Sequence, residues 1–246
     1  MTGRPIRGHR GERVYLRPLE PDDLETVHRW FEDTRIQTLM GDLPVSLAAR
    51  RQRYEEAAKG DGQDVFRFVI CLLDDDRAIG RTDVFHIDRH NGSCAFGITI
   101  GDPELWSQGL GTDAVNAVVD FAFGQLRMER VWLDTDDHNA RAQAVYRKAG
   151  FVEEGRFRRA FYQDGGWSDD IRMAMIRDEW AALPRPKSWE LAARAVEEGG
   201  TAPHEDRGAG RDQGAARDPD PPGDSHRARD PGPASDPGSA HPDVRE

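Results

Sequence analysis

The nine residues Trp106-Ser-Gln-Gly-Leu-Gly-Thr-Asp-Ala114 decide how this 246-residue chain is read. Ile98-Thr99-Ile100 just before them reads as the end of a strand. Val115, Val118, Val119, Ala122 and Leu126 just after them recur at helical i, i+3, i+4 spacing. A glycine turn feeding a helix in this way is an anion trap. Gly109 and Gly111 let the backbone come close, and the unpaired N–H groups of the first helical turn point at whatever negative group sits there. A diphosphate fits. A Gly-x4-Gly-Lys-Ser/Thr loop does not, because no lysine follows, and the dinucleotide fingerprint fails because Ala114 stands where its third glycine belongs. An isolated Gly-x-Gly is often a plain turn, so the reading rests on what comes downstream.

About thirty residues later the chain reads Asp136-Asp-His-Asn139-Ala-Arg-Ala-Gln-Ala-Val-Tyr146-Arg-Lys-Ala-Gly150-Phe151. In this order the two segments resemble the GNAT superfamily of acyl-CoA N-acyltransferases, over a stretch from about Arg13 to Trp180. The likeness is greatest to the branch with ribosomal-protein N-terminal acetyltransferases and many small-amine acetyltransferases. It implies an α/β fold: a central mixed, mostly antiparallel sheet with splayed central strands, flanked by helices. It also implies acetyl-CoA as acetyl donor. The superfamily loop opens on Arg or Gln, whereas this one opens on Trp106, and Gln108 is read as supplying the polar contact in its place.

Amine acetylation needs a deprotonated amine, a hydrogen-bond donor for the tetrahedral oxyanion and a proton for the departing thiolate. The resemblance carries backbone contacts with the thioester arm to the strand end Gly97-Ile98-Thr99-Ile100, and phosphate contacts to Gln108, Gly109, Leu110, Gly111 and Thr112. It makes Asn139 a holder of the pantetheine arm and Tyr146 the acid that protonates sulfur. These two are seven residues apart, two helical turns, and so share one helix face. Each has a plainer reading: Asn139 as an N-cap, Tyr146 as a core aromatic beside Ala142, Val145 and Ala149. Ala142 replaces a serine common in the branch, which leaves the sulfur to Tyr146 alone. For the base, Glu104 at the mouth of the glycine loop is taken first, with Asp134, Asp136 and Asp83 as other carboxylates and an ordered water as a further route. Phe161 stands where N-terminal acetyltransferases often carry a glutamate. With Trp30, Phe31 and Tyr162 it implies a partly apolar acceptor site. The rival class is an acyl-CoA-binding module without turnover.

Period-2 and period-3.6 patterns order the remaining elements. Strands are expected at Val14–Pro18, Val65–Leu73, Ala78–Ile87, Cys94–Ile100 and Arg130–Asp136. A last hairpin, Phe151–Tyr162 with Ser168–Ile176, turns at Asp164-Gly165-Gly166. Helices are expected after Glu20-Pro21-Asp22-Asp23, from about Ser46 to Lys59, after the glycine loop, and over 139–149. Apolar periodicity stops near Leu183. Residues 1–183 are therefore taken as the acetyltransferase domain and 184–246 as a Pro-, Gly-, Asp- and Arg-rich tail, disordered except for a short helix over 188–198.

The formal net charge is −11, and residues 187–246, with 8 Lys+Arg and 13 Asp+Glu, carry −5 of it. The lack of a basic stripe argues against nucleic acid as a partner. No run approaches a membrane span, and the first residues lack an apolar signal core, so the expected setting is cytoplasmic, as a monomer or homodimer acting on an amine. Cys71 and Cys94 read as buried free thiols, which favours direct transfer over an acetyl-cysteine intermediate. His86-x-Asp88-x-His90 has strand spacing for a metal, but beside a hairpin turn it reads as turn polarity, and no metal is expected.

Overall fold

The computed structural model describes residues 8–40, 44–58, 65–163 and 165–200. Its strands follow the expected order: β1 Val14–Pro18, β2 Phe66–Leu72, β3 Ala78–Asp88, β4 Ser93–Ile100, β5 Arg130–Asp136, β6 Val152–Gln163 and β7 Gly166–Ile176. They form one sheet in the order β1-β2-β3-β4-β5-β7-β6. Every pairing is antiparallel except β4 with β5.

That parallel pairing is short. β4 meets β5 only at Ser93↔Arg130, Cys94↔Val131 and Ala95↔Trp132. Beyond Ala95, β4 stays paired with β3 as far as Gly80↔Ile100, while β5 follows β7 to Asp136↔Asp170. The two central strands therefore diverge, and Gly97–Ile100 has one backbone edge turned away from any strand. This is the splay the resemblance implies.

Helices cover both faces. α4 (Leu110–Asp120) and α5 (Ala140–Ala149) lie over the larger core, where Val115, Val118, Val119, Leu133 and Met173 are buried. α1 (Leu24–Trp30), α2 (Thr34–Met40) and α3 (Leu47–Ala58) lie over a second core of Tyr15, Leu24, Val27, Ile36 and Val69. Two layers of helix on one sheet are what strands with apolar residues on both faces require. α2 is absent from the sequence reading. Its Ile36, Leu39 and Met40 do follow i, i+3, i+4, but seven residues are too few for the periodicity to stand out.

The expected boundary at residue 183 falls inside the packed unit. α6 (Arg177–Ala182) is followed by α7 (Ser188–Gly200), and the link between them is pinned to α4 through Asp120. This carboxylate is buried, 2% exposed. It accepts from Trp180 Nε1 at 2.8 Å, from both terminal guanidinium nitrogens of Arg185 at 2.9 and 2.8 Å, and from the backbone N–H of Ser188 at 2.7 Å. Trp189 then packs where α4 loosens into a π-helical turn over Phe121–Gln125. A Cβ at Gly124 would lie 2.6 Å from the indole, so glycine there admits the ring. Composition hides this docking because one buried acid and one glycine, not an apolar stripe, hold the segment. Residues 201–246, read as disordered, lie outside the described residues.

Candidate active site

The glycine loop is shaped by two residues with positive φ, Ser107 at 60° and Gly109 at 84°. Such a backbone turns successive N–H groups inward as a concave nest, and at Gly109 glycine adopts the conformation without strain. Gly109 is the N-cap of α4 and has no side chain to cap with, so the helix's first N–H groups stay available to an anion. The loop is held from three sides. Trp106 Nε1 donates to Ile100 O at 2.9 Å, Arg13 Nη1 to Gln108 O at 2.7 Å, and Gln108 Nε2 to Glu104 O at 2.7 Å. Trp106 at the head of the loop thus ties it to the end of β4. Asp113, one turn into α4, accepts from the backbone N–H groups of Glu12, Arg13 and Val14 at 2.8–2.9 Å, which fixes the helix start against β1.

A cleft opens between the diverging strands. Ile98, Thr99 and Ile100 form its floor, Gly109 and Gly111 one wall, and Asn139, Ala142, Val145 and Tyr146 of the α5 segment another. Ile36, Leu39 and Met40 of α2 close it from the far side. The expected alternation along β4 breaks at this point. Ile98 and Ile100 are only partly buried, facing the cleft, whereas Thr99 is buried beneath Met40, to whose sulfur its hydroxyl donates at 3.3 Å.

Asn139 and Tyr146 share the cleft-facing side of α5, as their spacing predicts. The N-cap reading of Asn139 holds as well: Oδ1 accepts from the Ala142 N–H at 3.1 Å. The two readings are compatible, since the cap occupies the amide oxygen and leaves the NH₂ donors. Tyr146 is 7% exposed, with Phe96 and Phe151 edge-on to its ring at centroid distances of 6.0 and 6.1 Å. Burial pushes its phenol up to about 12, so it is protonated throughout the neutral range.

Other expected residues lie elsewhere. Leu110 is a core residue that offers only its backbone, and Thr112 faces an adjoining groove lined by Arg13 and Lys148. The Gln108 side chain is engaged within the loop. Glu104 is exposed on the 3-10 turn Pro103–Leu105 and does not line the cleft. Asp134 is bidentate with Arg172 at 2.8 and 2.7 Å, and Asp136 accepts from the Ser168 hydroxyl. Asp83 is paired with Arg81, and its Oδ1 is buried without a hydrogen-bond partner. The aromatic acceptor wall is not assembled. Phe31 is buried in the second core, Trp30 packs against it, and Tyr162 is exposed against Trp167. The apolar wall comes from α2 instead.

One cleft residue had no signal in the sequence. Arg141, on the first turn of α5, lays its guanidinium 3.8 Å from the centre of the Trp106 ring and lines the cleft. Desolvation lowers its pKa, and the cation lies over Trp106, the residue that opens the loop where the superfamily has Arg or Gln. Arginines on amphipathic helices usually face solvent, so only the packing reveals this one. His86-x-Asp88-x-His90 does not form one face, because the ladder is irregular between Phe85 and Asp88. His86 stacks on Trp132 at 5.8 Å, and Asp88 accepts from the Asn91 amide. Both cysteines are buried and in no disulfide, and burial pushes the Cys94 thiol up to about 12.

Residues 13–152 match the family described as acetyltransferase (GNAT) domain. The chain is 30% identical over 179 residues to a probable N-acetyltransferase, YjcK, of Bacillus subtilis, a match covering 69% of this chain and 97% of that protein. It is 29% identical to the spermidine N(1)-acetyltransferase of Escherichia coli K12, over 69% of this chain and 89% of the relative. Among solved structures, spermidine N-acetyltransferase from Vibrio cholerae in complex with CoA and spermine superposes with a TM-score of 0.64 at 25% identity. That match covers 68% of this chain and 98% of the other. The strand splay, the glycine loop and this likeness over most of each relative's length agree: the chain belongs to the GNAT acetyltransferase family, whose reaction is acetyl transfer from acetyl-CoA to an amine.

Proposed function

We propose that the chain acetylates a primary amine by direct attack on the acetyl-CoA thioester in a ternary complex, with Tyr146 as the acid. One observation carries the reading. The glycine loop, the open edge of β4 and the buried Tyr146 phenol all face a single cleft. In this reading the N–H groups of Leu110, Gly111 and Thr112 and the Arg141 guanidinium hold the diphosphate, and the Asn139 NH₂ and the 98–100 backbone hold the pantetheine arm. The amine nitrogen forms a bond to the carbonyl carbon, the C–S bond breaks, the thiolate takes the Tyr146 proton, and the phenolate is reprotonated through water by the proton that the product nitrogen sheds. No carboxylate lines the cleft among the described residues. The ammonium proton therefore leaves through water, with Glu104, exposed outside the cleft, as its eventual acceptor. Cys71 and Cys94, buried and hard to ionise, supply no nucleophile.

Thiol release on adding amines to enzyme and acetyl-CoA tests the reading. Release that depends on the amine and falls in Tyr146→Phe supports it. Acetyl-CoA binding without release for any amine class would favour the binding module. We further propose a cytoplasmic setting, in keeping with two free buried thiols. No described helix is long and apolar enough to cross a membrane. The assembly is proposed as a monomer or homodimer, which sedimentation reads directly.

A further inference from the structure

The cleft passes through the sheet. Residues directly opposite on paired strands point to the same face, and residues two apart share a face. Thr99 is opposite Arg81, and Gly97 is opposite Asp83. Across β2, Asp83 is opposite Arg67 and Arg81 is opposite Val69, a residue of the second core. Thr99, Arg81, Asp83 and Arg67 therefore belong to the face covered by α1–α3. Ile98, Ile100 and the glycine loop belong with α4 and α5 on the other. With the donor's diphosphate on the α4–α5 side, an acceptor reaches the thioester from the α1–α3 side.

On that side, beside the strand that carries Thr99, lies an open cavity. Arg67 and Arg81 rise from its floor, and Arg50 and Arg53 of α3 face them, with Tyr54 and Asp83 completing the polar lining. Tyr54 is committed, its hydroxyl donating to Leu19 O at 3.0 Å, and Asp83 is paired with Arg81. Arg50 and Arg81 both stand over the Phe31 ring, at 4.7 and 5.8 Å. Among the described residues that line it there are four guanidinium groups and one carboxylate, in a chain of net charge −11. Such a field, with planar donor forks in a partly desolvated wall, selects carboxylates and repels polycations.

We propose that this arginine-lined cavity binds the carboxylate of the acceptor, so that the favoured amine carries a carboxylate close to the nitrogen that is acetylated. The inference rests on the transfer reading above. It sets this chain apart from its relatives named for spermidine, a substrate of opposite charge. The carboxylate comes either from a free amino acid or from an acidic side chain at a peptide N-terminus.

The test compares glutamate, its diamide, a peptide beginning with an acidic residue, the same peptide as the amide, and spermidine, all with the full chain and acetyl-CoA. A carboxylate-bearing amine is expected to exceed its amide by about tenfold or more in kcat/KM, the scale of one charge-assisted contact. Whether the amino acid or the peptide shows the preference identifies the source. Arg67→Gln, and separately Arg53→Gln at the α3 wall of the cavity, should raise KM for the carboxylate substrate. They should leave kcat, the amide's KM and the KM for acetyl-CoA unchanged. Equal use of acid and amide, preference for spermidine, or wild-type discrimination in both variants would overturn the proposal. Calorimetric titration of glutamate and its diamide in the presence of CoA separates the two readings. Carboxylate-dependent binding without turnover sinks the transferase reading but keeps the pocket, whereas turnover without carboxylate dependence does the reverse. Absence of both discrimination and carboxylate-dependent binding sinks the pocket.

Discussion

The guanidinium of Arg141 lies 3.8 Å from the centre of the Trp106 ring. The two residues are 35 positions apart and come from different elements. The indole is itself fixed to Ile100 O, so a loop that opens on tryptophan still presents a positive charge at the cleft. The aromatic face holds the cation in place by its quadrupole, an attraction of about 0.5–2 kcal/mol.

Arg141→Ala should therefore raise the KM for acetyl-CoA about tenfold while kcat changes little, since the contact proposed is with the donor's phosphates in ground and transition state alike. Steady-state kinetics with acetyl-CoA varied is the check. A fall in kcat with unaltered KM would place Arg141 in the chemical step instead.

Tyr146→Phe should lower kcat by about 10²–10⁴-fold and leave acetyl-CoA affinity within about twofold, because only the proton donor is removed. The pH dependence has a defined sign. An acid works in its protonated form, and a phenol held at about 12 keeps that form well above neutrality. The kcat/KM of the wild type should thus rise with pH as the amine deprotonates. It should show no falling limb from Tyr146 below about pH 11. A descending limb near pH 9 that vanishes in Tyr146→Phe would show that the phenol is far more acidic than its burial implies.

Asp120→Ala should destabilise the domain by about 3–5 kcal/mol, since it strands the Arg185 charge and the Ser188 N–H that the carboxylate now satisfies. Ending the chain at Leu183 removes those partners from the other side and leaves Asp120 buried with Trp180 alone. Its melting temperature should fall by several degrees, whereas a chain ending at Ala202 keeps the contacts. Calorimetric melting of the two truncations side by side decides the matter, and equal melting temperatures would mean that α7 only rests on the surface.

Replacing both Cys71 and Cys94 with alanine should preserve kcat, at a stability cost of about 1–2 kcal/mol for lost core volume. Neither thiol reaches the cleft, and burial raises the pKa of each. Activity lost from a variant that still melts cooperatively would reopen an acyl-enzyme route.

Much of this fold is legible in the one-dimensional pattern. β1 and β5 have the boundaries that alternation predicts, and α5 begins one residue after Asn139, as a helix capped by that residue must. The glycine loop and the Asn139–Tyr146 pair are legible too, because each depends on spacing within one element. The base was not legible. Glu104, Asp134 and Asp136 are carboxylates at plausible chain positions, yet one is exposed outside the cleft and the others are occupied by Arg172 and Ser168.

The amino-acid sequence by itself determined the order of the elements, the glycine turn that opens α4 and the helix face that carries Asn139 and Tyr146. These follow from backbone geometry and the burial period of neighbouring residues. The tertiary structure alone decided that α2 walls the cleft, that Arg141 stacks on Trp106 at its edge, and that Asp120 draws Arg185 and Ser188 into the domain. It also decided that four arginines from two strands and a helix face one another. Each of these joins groups tens of residues apart. Their meeting depends on strand register, on the divergence of β4 from β5 and on helix packing, and no local periodicity encodes them.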